Sequence, residues 1–197
     1  GYAMSCRTIG QVFWRRIGTC SVCLLAVLLL ADTVNAAQLE TETAELLQSI
    51  NERLGQMQDV ALYKATHQLP IEDLKREAVV IEEARRSAKS QGLDADASAA
   101  FFIAQISVAK AIQFRYRADL LTSETQPPIR DLNLEIRPAL IELGDRIVTL
   151  MASVARSHGS FEDLTFSQLD EAIDTPFVSQ ADKCLLLRAL RGVRLEE

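Results

Sequence analysis

The sequence predicts an all-α protein, a bundle of about six helices, on three observations. Apolar residues recur at spacings of three and four, and no segment alternates with period two over a useful length. Leu and Ala dominate, and hydrophobic residues make up 48% of 197, enough for the core of one domain. Turn signals fall between the periodic segments, at Pro70, Gly92, the stretch TSETQPP and Gly159.

Residues 1–36 read as a leader that precedes the fold, with Met4 as the start and Gly1 to Ala3 upstream of it. Arg7, Arg15 and Arg16 form a basic region. Residues 20–31 (CSVCLLAVLLLA) are a continuous apolar run. Val34 and Ala36 stand at positions −3 and −1 of a cleavage site. The run is short against the roughly 20 residues a membrane span needs. A cleaved secretory signal peptide is therefore expected rather than an anchor, with no stable membrane association afterwards. The single domain is then 37–197. The leader holds three Arg and one Asp, so the remainder carries 18 Lys+Arg against 26 Asp+Glu, a net of −8. Such a surface does not attract nucleic acid. Any anion must be held by a local cluster of cations.

The first long helix is expected from Thr41 or Thr43 to about Thr66, since Leu46, Leu47, Ile50, Leu54, Met57 and Ala61 form one stripe. Pro70 breaks or kinks it and opens a second helix as its first helical residue. Leu74, Val79, Val80, Ile81 and Ala84 are the apolar positions there, and Gly92 is the stop. Asp94 or Asp96 caps a third helix carrying Phe101, Phe102, Ile106, Ala109, Ile112 and Tyr116. A fourth runs from Leu134 or Arg137 to His158. Pro138 fits only a first turn, which places Arg137 at the helix start. Ser160 opens a short fifth helix, and Ser179 caps a last one through Leu190. Cys184, the only cysteine after residue 36, has no partner for a disulfide. Beside Leu185, Leu186 and Leu187 it is expected to be a packed core thiol.

The chemistry-bearing residues are few. His67 and His158 are the only histidines and lie far apart, unlike the short-spaced pairs of a zinc site. Neither has a triad setting, and His67 reads as a polar cap after a helix. No metal and no cofactor are expected. Arg53 and Lys64 are eleven residues apart, which on a helix is three turns, about 20° of rotation and roughly 16 Å of rise. Both leave one face, close to Met57 and Ala61; a solvated rim is the plain alternative. Asp73, Arg76 and Glu77 cluster at the next helix start. Gln113 falls among Ile106, Ala109, Ile112 and Tyr116, so its amide is expected to be at least half buried and to need partners.

Taken together, Arg53, Lys64, Asp73, Arg76, Glu77 and Gln113 resemble the ligand-binding pattern of the all-helical (type II) chorismate mutases. The strings ERL at 52–54 and LPIED at 69–73, the leader and the helices after Leu121 are similar to the secreted, gamma class of that family. The resemblance is good over 46–120 and reaches the C-terminal third chiefly through Arg137.

What the resemblance implies is an isomerase that needs no cofactor. It would convert chorismate to prephenate, on the route to phenylalanine and tyrosine, by an intramolecular Claisen rearrangement. Arg53 and Arg137 would hold the two carboxylates, and Lys64 the ether oxygen and one carboxylate. Gln113 would donate to the same ether oxygen. Glu77, with the Asp73 region, would receive the ring hydroxyl, and Arg76 would orient Glu77. Two positions depart from relatives: Ala109 stands where many have Ser or Thr, and Gln113 where some have Glu. The resemblance also implies a homodimer with a complete site in each protomer, in the periplasm or secreted. The C-terminal disulfide of some members cannot form with Cys184 alone. An isochorismate pyruvate-lyase-like enzyme and a non-catalytic secreted helical binding protein are the alternatives.

Overall fold

The protein is described here by a computed structural model, in which residues 37–38, 40–125 and 127–197 are defined. The expected leader and its cleavage site lie outside the described residues. The helices below all belong to one compact unit, Leu39–Glu197. Residues 40–55 form α1. They are followed by α2 (Met57–Thr66), α3 (Leu74–Ser90) and α4 (Ala95–Leu120). A π-helical turn (Leu132–Ile136) leads into α5 (Arg137–His158), and α6 (Phe166–Ala172) and α7 (Gln180–Arg191) complete the chain. Among the described residues the only β-type pairing is an isolated bridge between Leu93 and Leu195.

The expected first helix is present as α1 and α2, separated by one turn residue. Gln56, after Gly55, keeps right-handed dihedrals (φ −70°, ψ −13°), and its carbonyl accepts from the Val60 N–H at 3.1 Å. The apolar stripe therefore continues across the break, and Leu46, Leu47, Ile50, Leu54, Met57 and Ala61 are all buried. Helix α4 lies centrally, packed against α2, α3 and α7, while α5 packs on α3 and on the π-helical turn. Phe101 and Ile112 of α4, Ile147 and Met151 of α5 and Leu186 and Leu190 of α7 join the α1 stripe in one core. Each such side chain contributes about 1.5–3 kcal/mol by leaving water.

Helix ends follow local chemistry. The Asp94 carboxylate accepts from the Ala97 N–H at 2.8 Å, and Asp73 caps α3 by accepting from the Arg76 N–H at 3.0 Å. Ser179 caps α7 in a reciprocal box with Asp182. Gly92 (φ +77°) and Gly159 (φ +79°) turn the chain in the left-handed region after α3 and α5.

Four expectations need correction. Helix α3 starts at Leu74, not at Pro70: the side-chain cap at Asp73 sets the start, and Pro70 lies in the connecting segment. Leu74 and Val79 consequently face outward and are exposed. The short helix α6 is capped by Thr165 in a box with Gln168, not by Ser160. Cys184 is exposed rather than packed. Burial on α7 runs through Lys183, Leu186, Leu187 and Leu190, and that helical phase carries Cys184 outside whatever its sequence neighbours are.

Candidate active site

A cavity of about 160 Å³ opens between α2, α3, α4 and α5. Its lining includes all eight residues singled out from the sequence: Arg53, Lys64, Asp73, Arg76, Glu77, Ala109, Gln113 and Arg137. The break at Gln56 leaves Arg53 and Lys64 facing the same space. The walls are apolar, with Met57, Val60, Ile71, Val80, Phe102, Leu132, Ile141 and Val148.

Arg53 enters from α1 and is only 6% exposed. Its Nη1 donates to the Gln105 Oε1 at 2.5 Å, its Nε has no acceptor, and its guanidinium carbon stands 5.8 Å from the centre of the Phe102 ring. Burial, with Arg76 nearby, pushes this guanidinium down to about 10. It remains charged at neutral pH, at an energetic cost.

Lys64 lies in the last turn of α2 and donates to the Ile71 carbonyl at 2.5 Å. The bond ties the end of α2 to the segment that carries Pro70, together with the Leu69 N–H on the Lys64 carbonyl at 2.7 Å. Gln68, at φ +55°, makes the reversal between them. Burial pushes the Lys64 amine down; Asp73 and Glu77 oppose the shift, and Arg137 and Arg117 add to it. Arg137 opens α5 and donates to the Asn133 side chain. Among the described residues, no carboxylate lies within 4.0 Å of a charged nitrogen of Arg53, Lys64, Arg76 or Arg137.

Gln113 is 5% exposed. Its Nε2 donates to the Ala109 carbonyl at 3.2 Å and meets the Met57 sulfur at 3.6 Å; its Oε1 has no partner. The Ala109 carbonyl fixes which end of the amide faces it, since turning the amide would set oxygen against oxygen. The sulfur is a weak acceptor, so the second Nε2 proton is free for a better one. Ala109 brings no hydroxyl to the cavity.

Two residues escaped the sequence reading. Lys110 lines the cavity and pairs with Glu77 at 3.1 Å, so Glu77 has a charged partner other than Arg76. Gln105, fully buried, holds Arg53. The available signal was spacing: Gln105, Ala109 and Gln113 recur every four residues on the inner face of α4, and a polar residue there needs a reason. His67, expected as a polar cap, is the C-cap of α2; its Nδ1 lies 2.8 Å from the Tyr63 carbonyl, and its ring stacks on that of Tyr63 at 3.9 Å.

Residues 37–114 match the family described as chorismate mutase type II. The chain is 35% identical over 150 residues to a monofunctional chorismate mutase of Enterobacter agglomerans, covering 76% of this chain and 82% of that protein. The chain belongs to the type II chorismate mutase family. It is also 45% identical over 104 residues to a secreted chorismate mutase of Yersinia pestis, covering 52% of this chain and 55% of that protein. The crystal structure of the secreted Yersinia pestis chorismate mutase superposes with a TM-score of 0.73 at 34% identity, over 77% of this chain and 98% of that one. A chorismate mutase structure from Burkholderia thailandensis gives 0.61 at 27% identity, over 76% and 97%. The all-helical architecture is thus that of the family, and it extends beyond the matched segment into the C-terminal helices.

Proposed function

We propose that this chorismate mutase family member is an isomerase that converts chorismate to prephenate in the cavity between α2, α3, α4 and α5. One observation carries the reading: four cations without carboxylate partners among the described residues, Arg53 buried and Lys64, Arg76 and Arg137 half-buried, converge with the buried Gln113 amide on one cavity. Buried cations are costly unless a ligand supplies the counter-charge, and chorismate is a dicarboxylate.

The rearrangement breaks a C–O bond and forms a C–C bond within one molecule, so the protein supplies geometry and electrostatics. Arg53 and Arg137 bind the two carboxylates, each with a planar fork of donors, and select the compact conformer. Lys64 and Gln113 donate to the ether oxygen, where negative charge builds in the transition state. Glu77 accepts from the ring hydroxyl and is held by Lys110, while Asp73 fixes the start of α3 that carries Arg76 and Glu77. With Ala109 in place of a hydroxyl residue, one hydrogen bond to a carboxylate is missing. The same cations would hold a dicarboxylate without reacting it, so turnover is the deciding measurement. The test is incubation of residues 37–197 with chorismate and, separately, with isochorismate, following substrate loss and the appearance of prephenate or of salicylate and pyruvate. Wild-type protein that leaves chorismate unchanged, or that instead releases salicylate and pyruvate from isochorismate, would overturn the reading.

The expected leader, and the description of the Yersinia pestis relative as secreted, support export to the periplasm or beyond, with cleavage after Ala36. An intact mass that starts at Ala37 would establish the cleavage. A homodimer is the proposed assembly. Helices α3 and α4 expose Leu74, Val79, Ile103 and Phe114, more large apolar surface than two solvated helices need.

A further inference from the structure

We infer that Gln105 is a positioning residue, which orients Arg53 for an incoming carboxylate while leaving its positive charge unneutralised. The inference rests on the proposed chorismate chemistry and concerns a residue outside the cavity lining.

Arg53 and Gln105 are both buried, and the 2.5 Å bond between them is the only hydrogen bond of the guanidinium among the described residues. A buried arginine is ordinarily met by a carboxylate, which supplies both an acceptor and a counter-charge. An amide of nearly the same shape supplies the acceptor alone. It fixes the guanidinium in direction without spending its field. The arrangement is not the most stable one this backbone allows. Two buried N–H groups, the Arg53 Nε and the Gln105 Nε2, have no acceptor, and orphaned buried donors are unfavourable. Glutamate at 105 would remove one orphan and give Arg53 a counter-charge. It would also fill, from within the protein, the role reserved for substrate.

A residue that merely filled space would show stability and binding moving together when it is replaced. A positioning residue of this kind predicts that they separate. Gln105→Glu is expected to raise the unfolding temperature of the ligand-free protein and to lower kcat/KM for chorismate about tenfold or more, the larger share in KM. Gln105→Met, of similar length but without an acceptor, is expected to lower the unfolding temperature and to raise KM as well. The experiment measures thermal unfolding without ligand, and chorismate turnover, for wild type and both variants. Glutamate lowering the unfolding temperature, or leaving KM at the wild-type value, would overturn the inference. Failure of the wild type itself to turn over chorismate would sink the proposed activity instead. In that case unfolding still decides: a rise in Gln105→Glu upholds an unneutralised anion site at Arg53, and no rise removes it.

Discussion

Two buried cations in this molecule are treated in opposite ways. Lys183, on α7, reaches the Asp170 carboxylate at 2.6 Å and its carbonyl at 3.1 Å. Arg53, on α1, meets a neutral amide. The pattern extends to their neighbours. Where the C-terminal segment meets α4, Arg115 pairs with Asp182 and Arg194 with Asp94; around the cavity Lys110 pairs with Glu77, but Lys64, Arg76 and Arg137 have no such pair among the described residues. The difference teaches where to look for a ligand. A cation that stabilises the fold is neutralised by the fold, and one that serves a ligand is left short of counter-charge.

The largest expected effect breaks the cavity side of this comparison. Lys64→Ala should lower turnover by at least two orders of magnitude, because removing one such donor typically costs about 3–4 kcal/mol of transition-state stabilisation. Its thermal stability should change little, since relief of the half-buried charge offsets the lost bond to the Ile71 carbonyl. Steady-state kinetics beside thermal unfolding checks both halves, and wild-type turnover in this variant would remove Lys64 from the site.

Gln113→Glu sharpens the chemistry. An amide has no proton to lose, so the wild type should show no activity loss between about pH 5 and 8 from this position. The variant should favour acid, where its carboxyl can still donate. Superimposable pH profiles would mean that Gln113 does not face the reacting oxygen.

The two regions should also titrate at opposite ends of the pH scale. Burial holds the Lys64 amine below its ordinary 10.5, and the proposed chemistry uses its protonated form. Activity should therefore fall with rising pH before the ordinary lysine range. Over that window the unfolded chain binds more protons than the folded one, so this group's contribution to stability rises as its contribution to activity is lost. Asp170 titrates at the acid end, where a lowered carboxyl is a gain for the fold rather than a penalty. The hydrogen bond from Lys183 leads in holding its carboxyl below 3.8, so its contribution is present above 3.8 and is lost as pH falls through the lowered value. A pH series of activity and unfolding temperature reads both limbs.

The smallest effect lies on the structural side. Lys183→Met should lower the unfolding temperature by a few degrees and leave kcat and KM unchanged. A kinetic change there would undo the division between the two kinds of cation.

Much of the site was legible because it lies on regular helices. Eleven residues separate Arg53 from Lys64, and four separate Ala109 from Gln113, so helical geometry alone sets each pair on one face. The break at Gln56 did not disturb this, since its dihedrals stay near those of a helix. What could not be read depends on contacts between distant segments. Lys110 meets Glu77 across α3 and α4, and the α5 wall of Ile141 and Val148 is placed by tertiary packing. The misread ends have local causes. Asp73 outcompetes Pro70 as the start of α3 because its carboxylate caps an otherwise unpaired N–H, and Thr165 does the same for α6. The exposure of Cys184 is set by the phase of α7, which its apolar sequence neighbours do not reveal.

The weak contact between Gln113 and the Met57 sulfur ties the site to redox chemistry. A thioether barely competes for the amide proton, but a sulfoxide oxygen is a strong acceptor. Oxidation of Met57 would capture the Gln113 donor that the proposed chemistry gives to the substrate, without altering any charged residue. Peroxide treatment should then slow turnover, a reductase for methionine sulfoxide should restore it, and Met57→Leu should be spared. That sulfur is buried but lines the cavity, so an oxidant small enough to enter the site reaches it.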